Sequence, residues 1–159
     1  MTSTSRTGGP ADARGIIDAA LYLVLATADG TGRPWSTPVY FAHDAYATFL
    51  WVSSPDAAHS RNIAVRPEVG ITIFDSHAPI GTGQGVYISA VAAEAEGTDL
   101  ARGIETYSHR SLTHGGTTWT PEDVRTDLRL YRAVAESYSM LAKDGRPDHR
   151  VPVYPVGAA

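Results

Sequence analysis

The sequence predicts a mainly-β domain, a small β-barrel decorated by helices. Six or seven short stretches alternate apolar residues with polar or small ones, the period of two that a half-buried strand shows. Only two or three short helical stretches lie between them, so the chain lacks the strand-helix-strand rhythm of a βαβ sheet. With 159 residues, 43% of them hydrophobic, the chain suits one domain with a real core and is too short for two ordinary ones. Residues 1–10, rich in Ser, Thr and Gly, are expected to be a mobile tail, and residues 11–159 the domain.

Taken in order, Ala11 to Ala20 fits a short helix with Ile16, Ile17 and Ala20 on one side. Leu21 to Ala26 is too continuously apolar for a half-exposed strand and reads as a buried one. Asp29-Gly30-Thr31-Gly32 is a turn. Pro34 to Phe41 is the next strand, with Trp35, Thr37, Val39 and Phe41 on one face, and His43 to Ala47 turns the chain into the strand Thr48 to Val52. Ser53-Ser54-Pro55-Asp56 then carries a helix-start signature: a Ser N-cap, Pro at the first helical position and an acid in the first turn. That helix, Ala57 to Arg66, stops at Pro67, and Val69, Ile71 and Ile73 alternate as a strand.

Residues 85–94 form a long strand whose small side chains allow a ligand or a second backbone to come close. Thr98 can cap a helix carrying Leu100, Ile104 and Tyr107 on one face, and Thr120-Pro121-Glu122-Asp123 is a further capping-box start. Strands from Arg129 to Ala142 and around Val151 to Val156 complete the chain.

Composition removes several function classes. The net charge is −4 and the one lysine is Lys143, so no basic cluster exists to neutralise a run of phosphates, and no nucleic-acid partner is expected. Without cysteine there is no disulfide, thiolate metal site, iron–sulfur cluster or Cys nucleophile. The apolar run Ala19 to Ala26 falls far short of the ~20 residues of a membrane span. Met1 to Gly9 lacks the apolar core of a signal peptide, so the expectation is a cytoplasmic protein with no membrane partner.

No HExxH or other common metal spacing occurs, so no metal is expected. No carboxylate pair or G-x-S-x-G elbow marks a catalytic residue either. Gly81-Thr82-Gly83-Gln84-Gly85 leads into a strand rather than a helix and lacks the P-loop lysine, which makes it a mobile connection and not a phosphate loop of that type. The helix after Ser53 and Ser54 is different. Its N-terminus opens past a strand end, beside two hydroxyls, His59 and Arg61, and can hold an anion such as a phosphate.

The stretch from Gly32 to Val69 resembles the FMN-binding split-barrel proteins related to pyridoxamine 5'-phosphate oxidase. The matching pieces are Gly32-Arg33-Pro34, Trp51-Val52-Ser53-Ser54, His59-Ser60-Arg61-Asn62-Ile63 and Arg66-Pro67-Glu68-Val69, with a weaker match through residues 85–94 and two late strands. The resemblance implies a homodimer with a flavin site built from two chains, holding FMN or a deazaflavin and acting on a small organic substrate. It puts Thr37, Pro38, Val39, Trp51, Val52, Ser53, Ser54, His59, Arg61, Asn62, Gln84 and Gly85 at the cofactor.

The departures from the pattern are specific. Thr37 and Ala42 stand where pyridoxamine 5'-phosphate oxidases carry Arg and Lys, and Ala58 and His59 stand where they carry Arg-Lys. Gly85 replaces the ring-contacting Gln, with Gln84 one residue away, and the C-terminal Arg-x-His has no secure counterpart in Pro147-Asp148-His149-Arg150. Oxidation of pyridoxamine phosphate is therefore not expected. The alternative is a split barrel that binds haem or another planar ligand without turnover. If His59 faces a phosphate, its protonation toward pH 6 should strengthen binding; it reads equally as a solvated helical histidine.

Overall fold

The computed structural model describes residues 9–156, so most of the expected tail lies outside the described residues, and Gly9 and Pro10 are the N-cap and first residue of α1 (Pro10–Ala19). The strands are β1 (Tyr22–Ala28), β2 (Pro34–Tyr40), β3 (Ala42–Asp44), β4 (Thr48–Ser53), β5 (Glu68–Phe74), β6 (Gly85–Glu94), β7 (Arg129–Leu141) and β8 (Arg150–Pro152). Two further helices, α2 (Ala58–Val65) and α3 (Gly97–Thr113), interrupt them. All pairings are antiparallel in one curled sheet of order β2-β1-β5-β6-β7-β4-β3, with β8 beside β7. Among the described residues no helix is long and apolar enough to cross a membrane.

Strand alternation builds two cores. On the concave side, Leu23, Leu25, Ile71, Ile73, Val86, Ile88 and Met140 meet Phe41, Phe49 and Trp51, and Ala13 and Ile17 of α1 plug the end of the half-barrel. On the convex side, α3 lays Ile104 and Tyr107 over Ala42, Leu50 and Leu130. Gly103 permits that approach, since a Cβ there would stand 2.9 Å from Leu130 Cδ2 and 3.2 Å from Leu50 Cδ2. A register shift between Ser89 and Ala90 bends the long β6–β7 pair, as a bulge does.

Polar contacts anchor α1 at its C-terminal end. Asp18 accepts from Tyr46 Oη (2.8 Å) and pairs with His43 Nε2 (2.9 Å), and Arg110 donates to the Ala20 carbonyl. The three-residue β3–β4 loop, Ala45 to Ala47 between the partners Asp44 and Thr48, places Ala45 and Tyr46 at φ 51° and 60° in a turn closed by the Ala47 N–H donating to the Asp44 carbonyl. Two residues that avoid this region are held there by the stacking of Tyr46 on His43, ring centroids 4.4 Å apart, and by Tyr138 Oη donating to the Tyr46 carbonyl.

Four local expectations are corrected. The strand expected to run to Phe41 ends at Tyr40; it is an edge strand paired only with β1, and its Trp35 is 50% exposed. Helix α2 starts at Ala58 without a side-chain cap. Ser54 instead closes a turn of its own, its Oγ accepting the Asp56 N–H and its carbonyl the Ala57 N–H. The Thr120–Asp123 capping box forms, but the segment it opens is a single 3-10 turn, Pro121–Val124. The last strand is only Arg150–Pro152.

Candidate functional site

Helix α2 packs on β1 and β2, and its first turn lies past the end of β4. The first-turn amides of an α-helix have no partner within it and carry the positive end of the helix dipole. Around this corner the structure collects Ser53, Ser54, His59, Arg61 and Asn62, while Thr37 lies on β2 as the cross-strand partner of Leu25. Ser54 Oγ accepts a backbone N–H, leaving its own proton to donate outward. Neutral donors and the exposed guanidinium of Arg61 are the kinds of group that bind an anion at a helix N-terminus.

The corner is largely satisfied internally. His59 Nε2 lies 2.9 Å from Ser53 Oγ, and the side chain is inside the protein, 8% exposed. Burial lowers its pKa below the ordinary histidine value, so the neutral imidazole persists on acidification. The ring is turned to Ser53, and its lowered pKa works against the protonation that the expected strengthening of phosphate contact toward pH 6 requires. Arg61 donates to the Asp56 carbonyl at the start of its own helix. Asn62 donates to Thr27 Oγ1 (3.0 Å), tying α2 to β1.

The other residues named from the resemblance disperse, and alternation explains how. Val39 faces the concave core with its partner Leu23, whereas Pro38, opposite Val24, faces the convex side. Trp51 is fully buried and stacked on Tyr131, centroids 5.9 Å apart and 13° between planes, and its Nε1 has no hydrogen-bond partner among the described residues. Val52 turns to the α3 side. Gly85 begins β6 opposite Phe74. Gln84 is fastened to β7: its Nε2 donates to the Leu141 carbonyl, and its Oε1 accepts from the N–H groups of Leu141 and Gly85.

Two features escaped the sequence. Arg129 is the cross-strand partner of Ser53, a cation at the corner held 3.1 Å from Glu94; only the β4–β7 register reveals it. The second is a cleft of about 1250 Å³ between α1, the convex side of β1, and the loops after β5 and β7. It shares Pro38 and Gln84 with the named residues and none of the α2 corner. Its one signal in the sequence is the spacing Ala11, Gly15, Ala19 on a helix.

A family model described as pyridoxamine 5'-phosphate oxidase matches residues 10–117, from α1 to just past α3. A search of curated proteins finds no match. Among solved structures, a haem-binding protein from Mycobacterium smegmatis superposes with TM-score 0.72 at 21% identity over 92% of this chain, which spans 59% of that protein's length. HutZ, the haem storage protein from Vibrio cholerae, gives TM-score 0.64 and 23% identity over 82% of this chain and 91% of its own. An F420 reductase gives 0.60 and 17% over 79% and 94%. At these identities the likeness establishes the fold, a split barrel. Together with the model match over more than half of its length, it shows that the chain belongs to the pyridoxamine 5'-phosphate oxidase family.

Proposed function

We propose that the chain is a flavin-dependent oxidoreductase that binds FMN or a deazaflavin as a homodimer and acts on a small organic molecule other than pyridoxamine phosphate. The observation that carries this reading is the α2 corner, where helix amides, Ser54 and Arg61 converge within the family-matched region. A bound flavin supplies the hydride chemistry, so the protein needs only to bind, orient and shield it. Here α2 would hold the phosphate, with His59 fixing the rotamer of Ser53 and Asn62 fixing the helix.

The homodimer has its own support. On the convex face of the sheet away from α3 and the α1 cleft, the central register row is Ala26, Gly70, Ser89 and Ser137, all exposed, beside exposed Val91 and Val134. Small, uncharged residues let two such faces approach closely.

Haem is the second reading. It is favoured by the scarcity of outward cations at α2 and by His77 on the rim of the large cleft, and a haem-binding protein and a haem storage protein share the fold. Incubating the purified protein with FMN and haemin together, then removing free ligand, separates the two. Retained flavin absorption bands support the proposal; a retained Soret band without flavin bands rejects it.

A further inference from the structure

We infer that the cleft between α1 and the convex face of β1 is a binding site for a flat, largely apolar aromatic molecule, separate from the α2 corner. The site does not depend on the flavin reading.

Its size comes first. At about 1250 Å³ it exceeds the roughly 300–1,000 Å³ of ordinary small-molecule pockets. Tyr22 and Phe74, 58% and 48% exposed, line it with Val24. Single exposed apolar side chains need no explanation. Two aromatic rings in one concavity offer an aromatic ligand stacking and edge contacts.

Gly15 is the second observation. It stands inside α1, where alanine would be the better helix former. Its φ is not positive, and a Cβ built on it meets nothing within 4 Å. Neither backbone conformation nor packing within the chain calls for glycine. The open space in front of it belongs to the cleft, whose helical wall is Gly15, Ile16 and Ala19.

The third is the loop between β5 and β6, whose two ends line the cleft. Asp75 Oδ1 accepts the His77 N–H (2.8 Å) at one end, and Gln84 is fastened to β7 at the other. Between these pins Ile80 is completely exposed and Gly81 sits at φ 84°. Charged groups of both signs, Asp12, Asp75 and Lys143, also border the cleft, so its apolar lining rather than net charge selects the occupant.

The test is a fluorescence titration of the full chain with 8-anilinonaphthalene-1-sulfonate, with FMN titrated separately. The expected result is saturable binding of one probe per chain. Gly15→Leu, which fills the open space with a better helix former, should weaken the probe at least tenfold without lowering the melting temperature or FMN affinity. Glu105→Leu, on the exposed face of α3, should leave probe binding unchanged. Absent or non-saturable binding, or equal affinity in Gly15→Leu, overturns the inference. Parallel loss of FMN in Gly15→Leu would make the cleft the flavin's own seat and also overturns it. So would release of probe on self-association, which would make the cleft an interface between copies. If FMN binds nowhere while the probe behaves as expected, the flavin reading fails and the cleft site stands.

Discussion

The α2 corner and the α1 cleft differ in how their polar and apolar groups are satisfied. At the corner, Ser53 holds His59, Asn62 holds Thr27 and Arg61 turns back on its own helix, so the polar side chains are spoken for by the protein itself. At the cleft, aromatic rings and a helix wall of small residues face open space. A polar site made of neutral donors can hold an anion by yielding internal bonds for external ones. An apolar cleft has nothing to yield and gains simply by being filled.

The comparison can be sharpened by changing one group on each side. The largest expected effect is at the corner. Asn62→Ala removes the partner of the Thr27 hydroxyl, a side chain only 5% exposed, and should destabilise the protein by about 1–3 kcal/mol in urea unfolding. An unchanged midpoint would mean that the α2–β1 tie is not structural. The opposite sign is expected at the cleft. Gly15→Ala should stabilise by roughly 0.5–1 kcal/mol, since the new methyl meets nothing and the helix gains propensity. A loss of stability would show that glycine is demanded by the fold itself.

The smallest effect is a slope. Burial depresses the folded-state pKa of His59 below its unfolded value near ~6.5. Above that value both states are neutral and the buried imidazole costs nothing. As pH falls below it, the unfolded chain takes up the proton first and stability declines toward the folded pKa. His59→Gln should flatten the pH 7 to 5 dependence relative to the unaltered protein; identical slopes would mean that the ring is not held neutral.

The fold was legible where one short period dominates, as in the alternation of β5 and most of β6. The apolar run Leu21 to Ala26 does form a strand, but not the buried one expected from it: β1 alternates, with Leu23 and Leu25 in the core and Leu21, Tyr22 and Ala26 exposed. It was less legible where a side chain chooses between local partners. Ser54 could cap a helix or close a turn, and only the entry of the chain from β4 into α2 decides for the turn. The clustering of Ser53, Ser54, His59, Arg61 and Asn62 followed from sequence proximity on one strand end and one helix. Arg129 beside Ser53, the burial of His59 and the whole α1 cleft depend on pairings between residues far apart in the chain, which no local pattern records.

The claim that α2 anchors a flavin phosphate is tested most directly by FMN titration of Arg61→Ala against Arg14→Ala. Arg61 stands at the first turn of α2, whereas Arg14 donates to the Pro155 carbonyl far along the chain. A lost charge-assisted hydrogen bond of about 1.5–3 kcal/mol corresponds to roughly tenfold or more in affinity. The account predicts that loss for Arg61→Ala and little change for Arg14→Ala. Equal affinities in both variants, or no flavin binding by the unaltered protein, would contradict it.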